Sequence, residues 1–419
     1  MPKLNILIVC EHASSLFGGE AMLPLNYFRY LSKSEHMVYL ITHERVKASF
    51  QQLPDINHEH IFYVPDTAAH KLLHKYAQLL PERVSIVTFG FVMHLITQVY
   101  QWKLARKIVK QKHIDVLHEP APVSAVQPSM MFGFGIPVII GPMNGGMSFP
   151  PAFQHMAARY ERLLYSVMRL FTSVYNLLIP GKFFAEVLLV ANRRTQLVLP
   201  KLKLGHTIEL VENGVFSALD NPKSPPSNND TNHSINVLYV GRLVDWKTVD
   251  ILVDAIAKCN DRVKLTILGN GELRDEIEQY ATLKAPNRVE FMGLVPHAET
   301  NKFYDNADIF VLPSIRECGG AVVLEAMSRG LPVIATDWGG PADYITAETG
   351  FLIKPESRTY MVDEFARIIN LLSEKPELRY SIGQAAITRI KQHFLWDKKI
   401  ERIVEIYQLA MERRSDSSN

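Results

Sequence analysis

Cysteine is scarce in this sequence, and the placement of the few cysteines excludes disulfide-stabilised and cysteine-rich metal proteins. The 419 residues contain only Cys10, Cys259 and Cys318, which lie far apart. Three widely spaced cysteines form neither a disulfide framework nor a metal cluster, and they favour a reducing compartment. The opening stretch MPKLNILIVCEH is too short and too weakly basic for a secretory signal, so a cytoplasmic protein is expected.

Two short motifs are also absent from the sequence. No Gly-x-Gly-x-x-Gly opens the first predicted helix, which argues against a nicotinamide-dependent oxidoreductase. No Asp-x-Asp triplet occurs, so a metal ion held between paired aspartates is not indicated. The 47% hydrophobic and 21% charged residues are typical of a globular protein, and the length favours two or three domains.

One uncharged run raises the question of a membrane span. Between Arg83 and Lys103 lie 19 residues without charge, a length that permits a span. Polar side chains interrupt this run, and the basic stretch WKLARKIVKQ follows it directly. The sequence therefore favours a helix that covers a sheet or lies at a membrane surface over one that crosses the bilayer.

Charge is distributed unevenly between the two halves of the chain. Residues 1–205 contain 21 Lys and Arg against 12 Asp and Glu, a net charge of +9, whereas the remainder has 24 against 31, a net charge of −7. The basic stretches RYERLLYSVMRLF and KLARKIVKQ indicate either peripheral attachment to the inner face of an anionic membrane or ordinary amphipathic helices with solvated basic faces. We prefer the first interpretation, and no nucleic-acid partner is expected.

Apolar strands alternate with helices along the chain, which predicts parallel sheets covered on both faces. LNILIVC, MVYLIT, IDVLHE and IPVIIGP are the strands predicted in the first half, and INVLYVGR, VKLTILGNG, NRVEFMG, ADIFVLPS and PVIATD those in the second. The polar segment at 220–235 is predicted to be an exposed loop. We therefore predict two doubly wound domains, 1–205 and 206–394, with the pattern changing near Asn213. A cleft between them is the expected site.

Three loops of the second half carry cations and glycines directly after predicted strands. Arg242 and Lys247 follow the first strand, and Gly269 and Gly271 follow the second. The third loop, RECGG, precedes a predicted helix that begins near Gly320. Any one of these loops is explained equally well as a tight turn. Together, at one edge of a sheet, they predict a phosphate site, because cations, close backbone approach and a helix N-terminus all favour anions.

The stretch SIRECGGAVVLEAMSRG adds two carboxylates, Glu317 in the loop and Glu325 in the helix. A carboxylate beside phosphates is suited to accept hydrogen bonds from sugar hydroxyls, each contributing ~1.5–3 kcal/mol. Glu325 is alternatively a surface residue favoured by the helix dipole, but its apolar flanks weaken that explanation. We therefore expect Glu325 to bind a ribose and Glu317 a second sugar.

PSIRECGGAVVLEAMSRGLPVIATDWGGP resembles the Glu-x7-Glu signature of the retaining family-4 glycosyltransferases. GRLVDWK, ENGV, FMGLVPHAE and TGFLI follow the order usual in that family, so the resemblance covers nearly all of residues 208–355, and FGGE after the first strand is similar too. It implies an α/β GT-B fold, with two Rossmann-like domains facing each other across a cleft. The donor would bind the C-terminal domain and the acceptor the N-terminal one, onto which a terminal helix at 395–415 crosses back.

The resemblance also implies roles for individual residues. Arg242 and Lys247 would hold the diphosphate, with Glu317 as the third catalytic residue at the donor sugar. Glu325 would bind the ribose hydroxyls. The remaining donor-binding residues would be Gly18, Gly19, Asn144, Gly269, Gly319 and Gly320, of which Gly18 and Gly19 approach from the opposite wall.

Three positions depart from the family pattern. Gly319 replaces an aromatic residue, which predicts a more open loop, and Thr248 stands where a glycine is common. The family's histidine near the reacting sugar is missing from GPMNGGMSFPP, where Asn144 is the nearest polar side chain. His118, one predicted strand earlier, is not expected to replace it.

The resemblance implies a retaining transferase that moves a hexose-type sugar from a nucleotide-diphosphate sugar to a glycan or lipid-linked acceptor, in surface polysaccharide or glycoconjugate biosynthesis. Attack on the front face is expected, with no metal and no cofactor beyond the donor. Glu11, Glu20 and Glu119 are the nearest carboxylates for a nucleophile, and none is an obvious one. A nucleotide-sugar epimerase and a non-catalytic sugar-nucleotide-binding protein remain alternatives.

Overall fold

A computed structural model describes most of the chain and divides it into two compact units. The described residues are 3–14, 19–51, 53, 55–80, 82–122, 124–156, 172, 174–222 and 234–418. The first unit comprises 1–146, 163–212 and 400–419, and the second comprises 147–162 and 213–399. Most of the polar segment predicted as a loop at 220–235 lies outside the described residues.

The first unit is built on a seven-stranded parallel sheet with the order β3-β2-β1-β4-β5-β6-β7. Its strands are β1 (Asn5–Val9), β2 (Met37–His43), β3 (Ile61–Val64), β4 (Val116–Glu119), β5 (Val138–Met143), β6 (Val187–Val190) and β7 (His206–Glu209). Strands β5 and β6 are apolar along their whole length, and β1 is apolar after Asn5, because both faces of the sheet are covered. The prediction of a doubly wound first half is confirmed.

The second unit contains a six-stranded parallel sheet with the order β10-β9-β8-β11-β12-β13. Its strands are β8 (Ile235–Val240), β9 (Val263–Leu268), β10 (Val289–Gly293), β11 (Ile309–Leu312), β12 (Val333–Thr336) and β13 (Gly350–Ile353). All five strands predicted here are present. Strand order reverses at β8, so β8 and β11 flank the point at which such sheets bind ligands.

Helices follow most of the strands in both units. In the first unit they are α1 (Gly19–Ser32), α2 (Lys47–Phe50), α3 (Ala68–Ala77), α4 (Glu82–Ser85), α5 (Phe91–Gln111), α6 (Gly181–Phe184) and α7 (Arg193–Val198). In the second they are α8 (Val249–Lys258), α9 (Arg274–Lys284), α10 (His297–Asn306), α11 (Ala321–Ser328), α12 (Gly340–Tyr344), α13 (Arg358–Glu374) and α14 (Pro376–His393), and α15 (Trp396–Ser418) ends the chain. Short 3-10 helices lie at Glu44–Val46, His58–His60, Pro151–Met156 and Asp245–Lys247, and a π-helical turn lies at Ile86–Gly90.

The division between the units differs from the predicted domains in three places. Residues 395–399 of the predicted crossing helix belong to the second unit, and the chain returns to the first unit at Ile400. The first unit extends to Glu212 because β7, which begins after the predicted boundary at 205, pairs with β6. The stretch GPMNGGMSFPP is split after Gly146, and its later residues belong to the second unit. There the indole of Trp338 donates a hydrogen bond to Ser148 O at 2.8 Å, and the Arg316 guanidinium lies over the Phe149 ring.

The uncharged run between Arg83 and Lys103 forms the end of α4, the π-helical turn and the first half of α5. Helix α5 packs against β1, β2 and β3, so the prediction of a helix that covers the sheet is confirmed. Within the described residues, none of the helices combines the length and the apolar character that a bilayer crossing requires.

Candidate donor site in the second unit

The loops at the carboxyl edge of the second sheet are joined to one another by backbone hydrogen bonds. These loops follow β8, β9, β11 and β12, and they contain the cations, glycines and loop glutamate predicted to bind a donor. The bonds run from Leu243 N to Asn270 O (3.0 Å), from Ile315 N to Trp246 O (3.0 Å) and from Gly340 N to Glu317 O (2.9 Å). The predicted rim is therefore a single connected surface of the second unit.

Lys247 and Glu317 are the predicted site residues that the structure brings into direct contact. Lys247 Nζ donates a charge-assisted hydrogen bond to Glu317 Oε2. The two side chains are only 14% and 16% exposed, so water screens the pair weakly. A predicted phosphate-binding cation and a predicted sugar-binding acid thus hold each other in place at the end of β8 and β11.

Arg242 is exposed at the end of β8, next to the contact between two strand-end loops. Tyr239 Oη donates a hydrogen bond to Arg242 O at 3.0 Å, which fixes the backbone at this point. Burial, with a smaller effect from Glu317, raises the pKa of Tyr239 well above its ordinary value, so its hydroxyl stays protonated. Gly269 has a φ of +136°, and a Cβ there would overlap Gly241 O. Only glycine allows these two loops to pack so closely.

Helix α11 begins at the predicted place, with Gly320 as its N-cap in the left-handed conformation. Among the described residues, no side chain caps its first turn, so its positive end is available to an anion. The expectation that Gly319 makes the preceding loop more open than an aromatic residue would stays a prediction. Gly319 is buried because Gly340 packs directly against its carbonyl, where an added Cβ on Gly340 would overlap Gly319 O.

Glu325 lies in α11 and has a partner that the sequence did not indicate. Tyr304 Oη donates a hydrogen bond to Glu325 Oε2 at 2.9 Å, and the Tyr304 side chain is 1% exposed. Burial and the neighbouring carboxylate raise the pKa of Tyr304 well above its ordinary value. Tyr304 belongs to α10, which passes beside α11 only in the folded unit, so no local pattern could have revealed this pair.

The backbone conformation of Thr248 explains why glycine would suit the position after Lys247. Its φ of 47° and ψ of 44° lie in the left-handed region, which is unfavourable for a β-branched residue. The side chain is almost fully buried, and its Oγ1 donates a hydrogen bond to Pro313 O at 2.7 Å. That bond ties the loop after β8 to the loop after β11.

Other predicted residues belong to the first unit or lie outside the described residues. Asn144 is buried in the first unit, where the Asn192 amide and the Thr195 hydroxyl each donate to its Oδ1 at 3.4 Å. Gly19 begins α1 in the same unit, and Gly18 lies outside the described residues. The roles of these three residues in donor binding stay predictions.

His118 and Glu119 lie on β4 inside the core of the first unit. His118 donates from Nε2 to Gly141 O at 2.6 Å and accepts from Tyr407 Oη at Nδ1, at 2.7 Å. Glu119 accepts hydrogen bonds from the Gln98 amide and the Ser129 hydroxyl, and burial raises the pKa of its carboxyl. Neither side chain is exposed to solvent, so Glu119 does not suit the role of a nucleophile.

Among the described residues, His43, Asp66 and His70 form one group of side chains with the composition of a metal site. Both ring nitrogens of His70 are already engaged, by Thr67 and by Thr97. The Arg45 guanidinium lies 2.7 Å from Asp66 Oδ1, and its positive charge opposes a bound cation. These contacts do not favour a metal ion at this group, which lies at the end of β2 and β3.

Part of this chain is similar in sequence to known glycosyltransferases. Residues 220–389 match the family described as Glycosyl transferases group 1. The chain is 32% identical over 183 residues to an uncharacterized glycosyltransferase of Methanocaldococcus jannaschii, covering 42% of this chain and 45% of that protein. It is 31% identical over 190 residues to the D-inositol 3-phosphate glycosyltransferase of Corynebacterium aurimucosum, covering 43% and 44%. The chain thus matches less than half the length of these curated relatives.

A solved structure is similar in fold to nearly the whole chain. The HepE protein of Anabaena in complex with UDP-glucose has a TM-score of 0.62 with 19% identity, covering 97% of this chain and 99% of that one. Together with the two doubly wound parallel sheets, this likeness establishes an α/β GT-B fold.

Proposed function

We propose that this protein is a retaining glycosyltransferase that moves a hexose-type sugar from a nucleotide-diphosphate sugar to a glycan or lipid-linked acceptor, in surface polysaccharide or glycoconjugate biosynthesis. The observation that carries the proposal is the Lys247–Glu317 pair at the rim of the second sheet, next to the uncapped end of α11. The match of residues 220–389 to a glycosyltransferase family supports the same assignment.

The rim contains separate groups for the two parts of such a donor. Arg242, Lys247 and the first turn of α11 would bind the diphosphate, because all three present positive charge or N–H groups. Glu325 would accept hydrogen bonds from the ribose and Glu317 from the transferred sugar. The Lys247–Glu317 bond would position both groups before the donor arrives, which reduces the reorganisation that binding requires.

The proposed reaction needs no protein nucleophile. The bond between the anomeric carbon and the leaving phosphate breaks while the acceptor oxygen bonds to the same face, and the acceptor's proton passes to a phosphate oxygen. Arg242, Lys247 and the α11 N-terminus would stabilise the charge that develops on the diphosphate. Removing one such preorganised group typically raises a barrier by ~3–4 kcal/mol.

The test compares Lys247→Ala and Glu317→Ala with the wild type in sugar transfer. Candidate donors come first from a thermal-shift screen of nucleotide sugars that includes UDP-glucose, since a donor at about 100 times its Kd stabilises by ~2.7 kcal/mol. Both variants should transfer at least ~100-fold more slowly. Lys258→Ala is the matched control, because Lys258 forms an exposed ion pair with Asp363 in the same unit. Wild-type rates in both site variants would overturn the assignment, and a new sugar epimer from donor alone would indicate an epimerase instead.

We also propose that the first unit attaches peripherally to an anionic membrane. Helix α3 and the turn after it expose Leu72 and Leu79 at 55% and 76%, with Lys71 and Lys75 exposed beside them. Such a surface combines apolar contact with attraction to anionic headgroups. The basic stretch at 103–111 lies on α5, where Lys103, Arg106, Lys107 and Lys110 are exposed, whereas RYERLLYSVMRLF lies outside the described residues.

Flotation with anionic vesicles tests this attachment. The wild type should float at low salt and less at high salt, and Leu72→Glu/Leu79→Glu should remain at the bottom of the gradient. Leu283→Glu is the control, because Leu283 is 81% exposed in the second unit. Absence of flotation at low salt would contradict the proposal.

A further inference from the structure

The first unit contains a cavity at the point where the order of its sheet reverses. Strands β1 and β4 are neighbours, and the chain leaves them in opposite directions, towards β2 and towards β5. Ligands of parallel α/β sheets bind beyond the carboxyl ends of the two strands at such a point. The cavity lies there, with Glu11 and His12 after β1 and Ala121 and Pro122 after β4.

The cavity has a volume of about 330 Å³, and its lining combines polar side chains with small apolar residues. This volume is near the lower end of the range for small-molecule sites, and it suits one sugar ring. Glu11, His12, Glu20, His94 and Gln127 supply its polar groups, and Ala21, Gly90, Ala121 and Pro122 supply small apolar surfaces. Every one of these residues belongs to the first unit.

Glu11 is held in a fixed position between two histidines. Its Oε2 lies 3.2 Å from His94 Nδ1, and its Oε1 lies 3.5 Å from His12 Nε2. Burial opposes ionisation of Glu11, but the hydrogen bond and charge of His94 outweigh it and lower the pKa of this carboxyl. Glu11 is therefore an ionised acceptor and a weak base, which suits binding a hydroxyl more than removing its proton.

His94 adds a buried ring nitrogen that the described residues leave without a partner. Its ring is 6% exposed, and its Nε2 has no hydrogen-bond partner among the described residues. Its Nδ1 is engaged by Glu11, so Nε2 is the ring nitrogen that remains for a ligand. A buried polar atom without a partner is unfavourable, and a ligand hydroxyl, which can both donate and accept, would satisfy it.

We infer that this cavity binds an uncharged, hydroxyl-bearing ring of the acceptor, a sugar or a cyclitol, through Glu11 and His94. The inference rests on the proposed transferase function for the identity of the ligand as acceptor. The two carboxylates of the lining, Glu11 and Glu20, repel phosphate, so the part of the acceptor bound here carries none. Any phosphate or lipid diphosphate of the acceptor lies outside this cavity.

Binding without donor tests the inference independently of catalysis. Saturation-transfer NMR is recorded with methyl glycosides of the common hexoses and with myo-inositol, and compared with the corresponding sugar 1-phosphates. At least one neutral compound should bind, and its phosphate should bind more weakly. Glu11→Gln should weaken the neutral compound by roughly tenfold to a hundredfold, as expected for the loss of a charge-assisted hydrogen bond. Glu59→Gln, an exposed glutamate of the same unit, is the control.

His94 acts both directly and by positioning Glu11, and a second pair of variants separates these roles. His94→Ala should weaken binding as Glu11→Gln does, and His94→Gln, whose amide can still donate to Glu11, should restore part of it. Donor binding in the thermal-shift screen should be unchanged in all of these variants. The inference would be overturned if no neutral compound bound, or if the sugar phosphates bound more tightly than the neutral compounds. It would also be overturned if Glu11→Gln bound the neutral compound as tightly as the wild type. Loss of transfer in Lys247→Ala with intact glycoside binding would report on the transferase function alone.

Discussion

Thr248 has a backbone conformation that disfavours threonine and a side-chain hydrogen bond that favours it. The left-handed conformation costs a β-branched residue about 1–2 kcal/mol. The bond from Oγ1 to the buried Pro313 O offsets part of that cost and joins two rim loops. A glycine at this position would relieve the strain and lose the bond, so the two choices are nearly equivalent for stability.

Substitutions at Thr248 should separate these two effects. Thr248→Val keeps the strain and leaves Pro313 O without its donor, so we expect it to destabilise the protein by about 1–3 kcal/mol. Thr248→Gly should stay within about 1 kcal/mol of the wild type. Thr248→Ser, which keeps the hydroxyl, is the control. Calorimetric melting temperatures measure the series, and a Val variant as stable as the Gly variant would contradict the account.

Tyr304 fixes one oxygen of Glu325, and its removal should affect the donor more than the fold. We expect Tyr304→Phe to weaken donor binding by roughly threefold to tenfold, because the carboxylate loses the bond that orients it. Tyr280→Phe is a matched control, since Tyr280 Oη donates to Asp254 Oδ1 at 2.7 Å in the same unit. The donor affinities of both variants are measured by titration. If Tyr304→Phe bound the donor as tightly as Tyr280→Phe, a role for Tyr304 in donor binding would be contradicted.

At the scale of elements, α15 is held to the first sheet by buried and partly buried polar contacts. Tyr407 Oη donates to the buried His118 on β4, and Arg414 pairs with Glu186. His118 also meets the edge of the Tyr27 ring and donates to Gly141 O, so neutral groups surround it. Burial lowers the pKa of His118 to about 4.

That shift predicts how stability changes with pH. In the unfolded chain a histidine has a pKa of about 6.5, so unfolding takes up a proton at His118 between pH 6.5 and 4. The stability due to neutral His118 is complete above pH 6.5 and is lost as the pH falls towards 4, by about 3 kcal/mol at most. His118→Gln removes this titration, whereas His43, whose pKa is also lowered to about 4, remains in both proteins.

Urea unfolding of the wild type and His118→Gln at pH 7, 5.5 and 4 measures the difference. The wild type should lose stability more steeply than the variant across this range, whatever their difference at pH 7. If the free energies of unfolding of the two proteins fell in parallel with pH, His118 would not be kept neutral by its surroundings.

The elements that the sequence predicted are those with long apolar patterns. The five strands of the second half and the four named in the first are present, and they were predictable because buried parallel strands are largely apolar. Four strands were missed. β3, β6 and β13 are short apolar runs whose periodicity does not distinguish a strand from a buried helical segment, and β7 is a partly exposed edge strand with the polar sequence HTIE.

At the scale of the whole molecule, the sequence predicted residues that follow strands but not the partners that fold against them. Lys247 and Glu317 were predicted because each lies in the segment that follows a strand of one sheet, and parallel strands bring such segments to one edge. Tyr304 and His94 were missed because each reaches its carboxylate from a helix, through contacts across 21 and 83 residues of chain. The difference in net charge between the two halves of the chain did not indicate that Tyr304 or His94 would contact a carboxylate.

The two units should respond to different ligands, which is a property of the whole chain. The rim of the second unit offers cations and a helix N-terminus. The cavity of the first unit offers carboxylates and a histidine nitrogen that has no partner in the described part of the chain. A nucleoside diphosphate should therefore slow amide hydrogen exchange in the loops at 241–248 and 315–322. A neutral glycoside should slow exchange at 10–14 and 90–98 instead.

Exchange measured by mass spectrometry with each ligand alone, and with both, resolves these segments separately. Protection is expected because a bound ligand raises the free energy of local opening wherever it contacts the chain. Lys247→Ala should abolish the nucleotide's protection of the rim and leave the glycoside's protection intact, and Glu11→Gln should do the reverse. If the nucleotide protects only the first unit, the donor site has been assigned to the wrong sheet. If one variant removes both patterns, the two sites do not bind independently, and the division of ligand chemistry between the units is wrong.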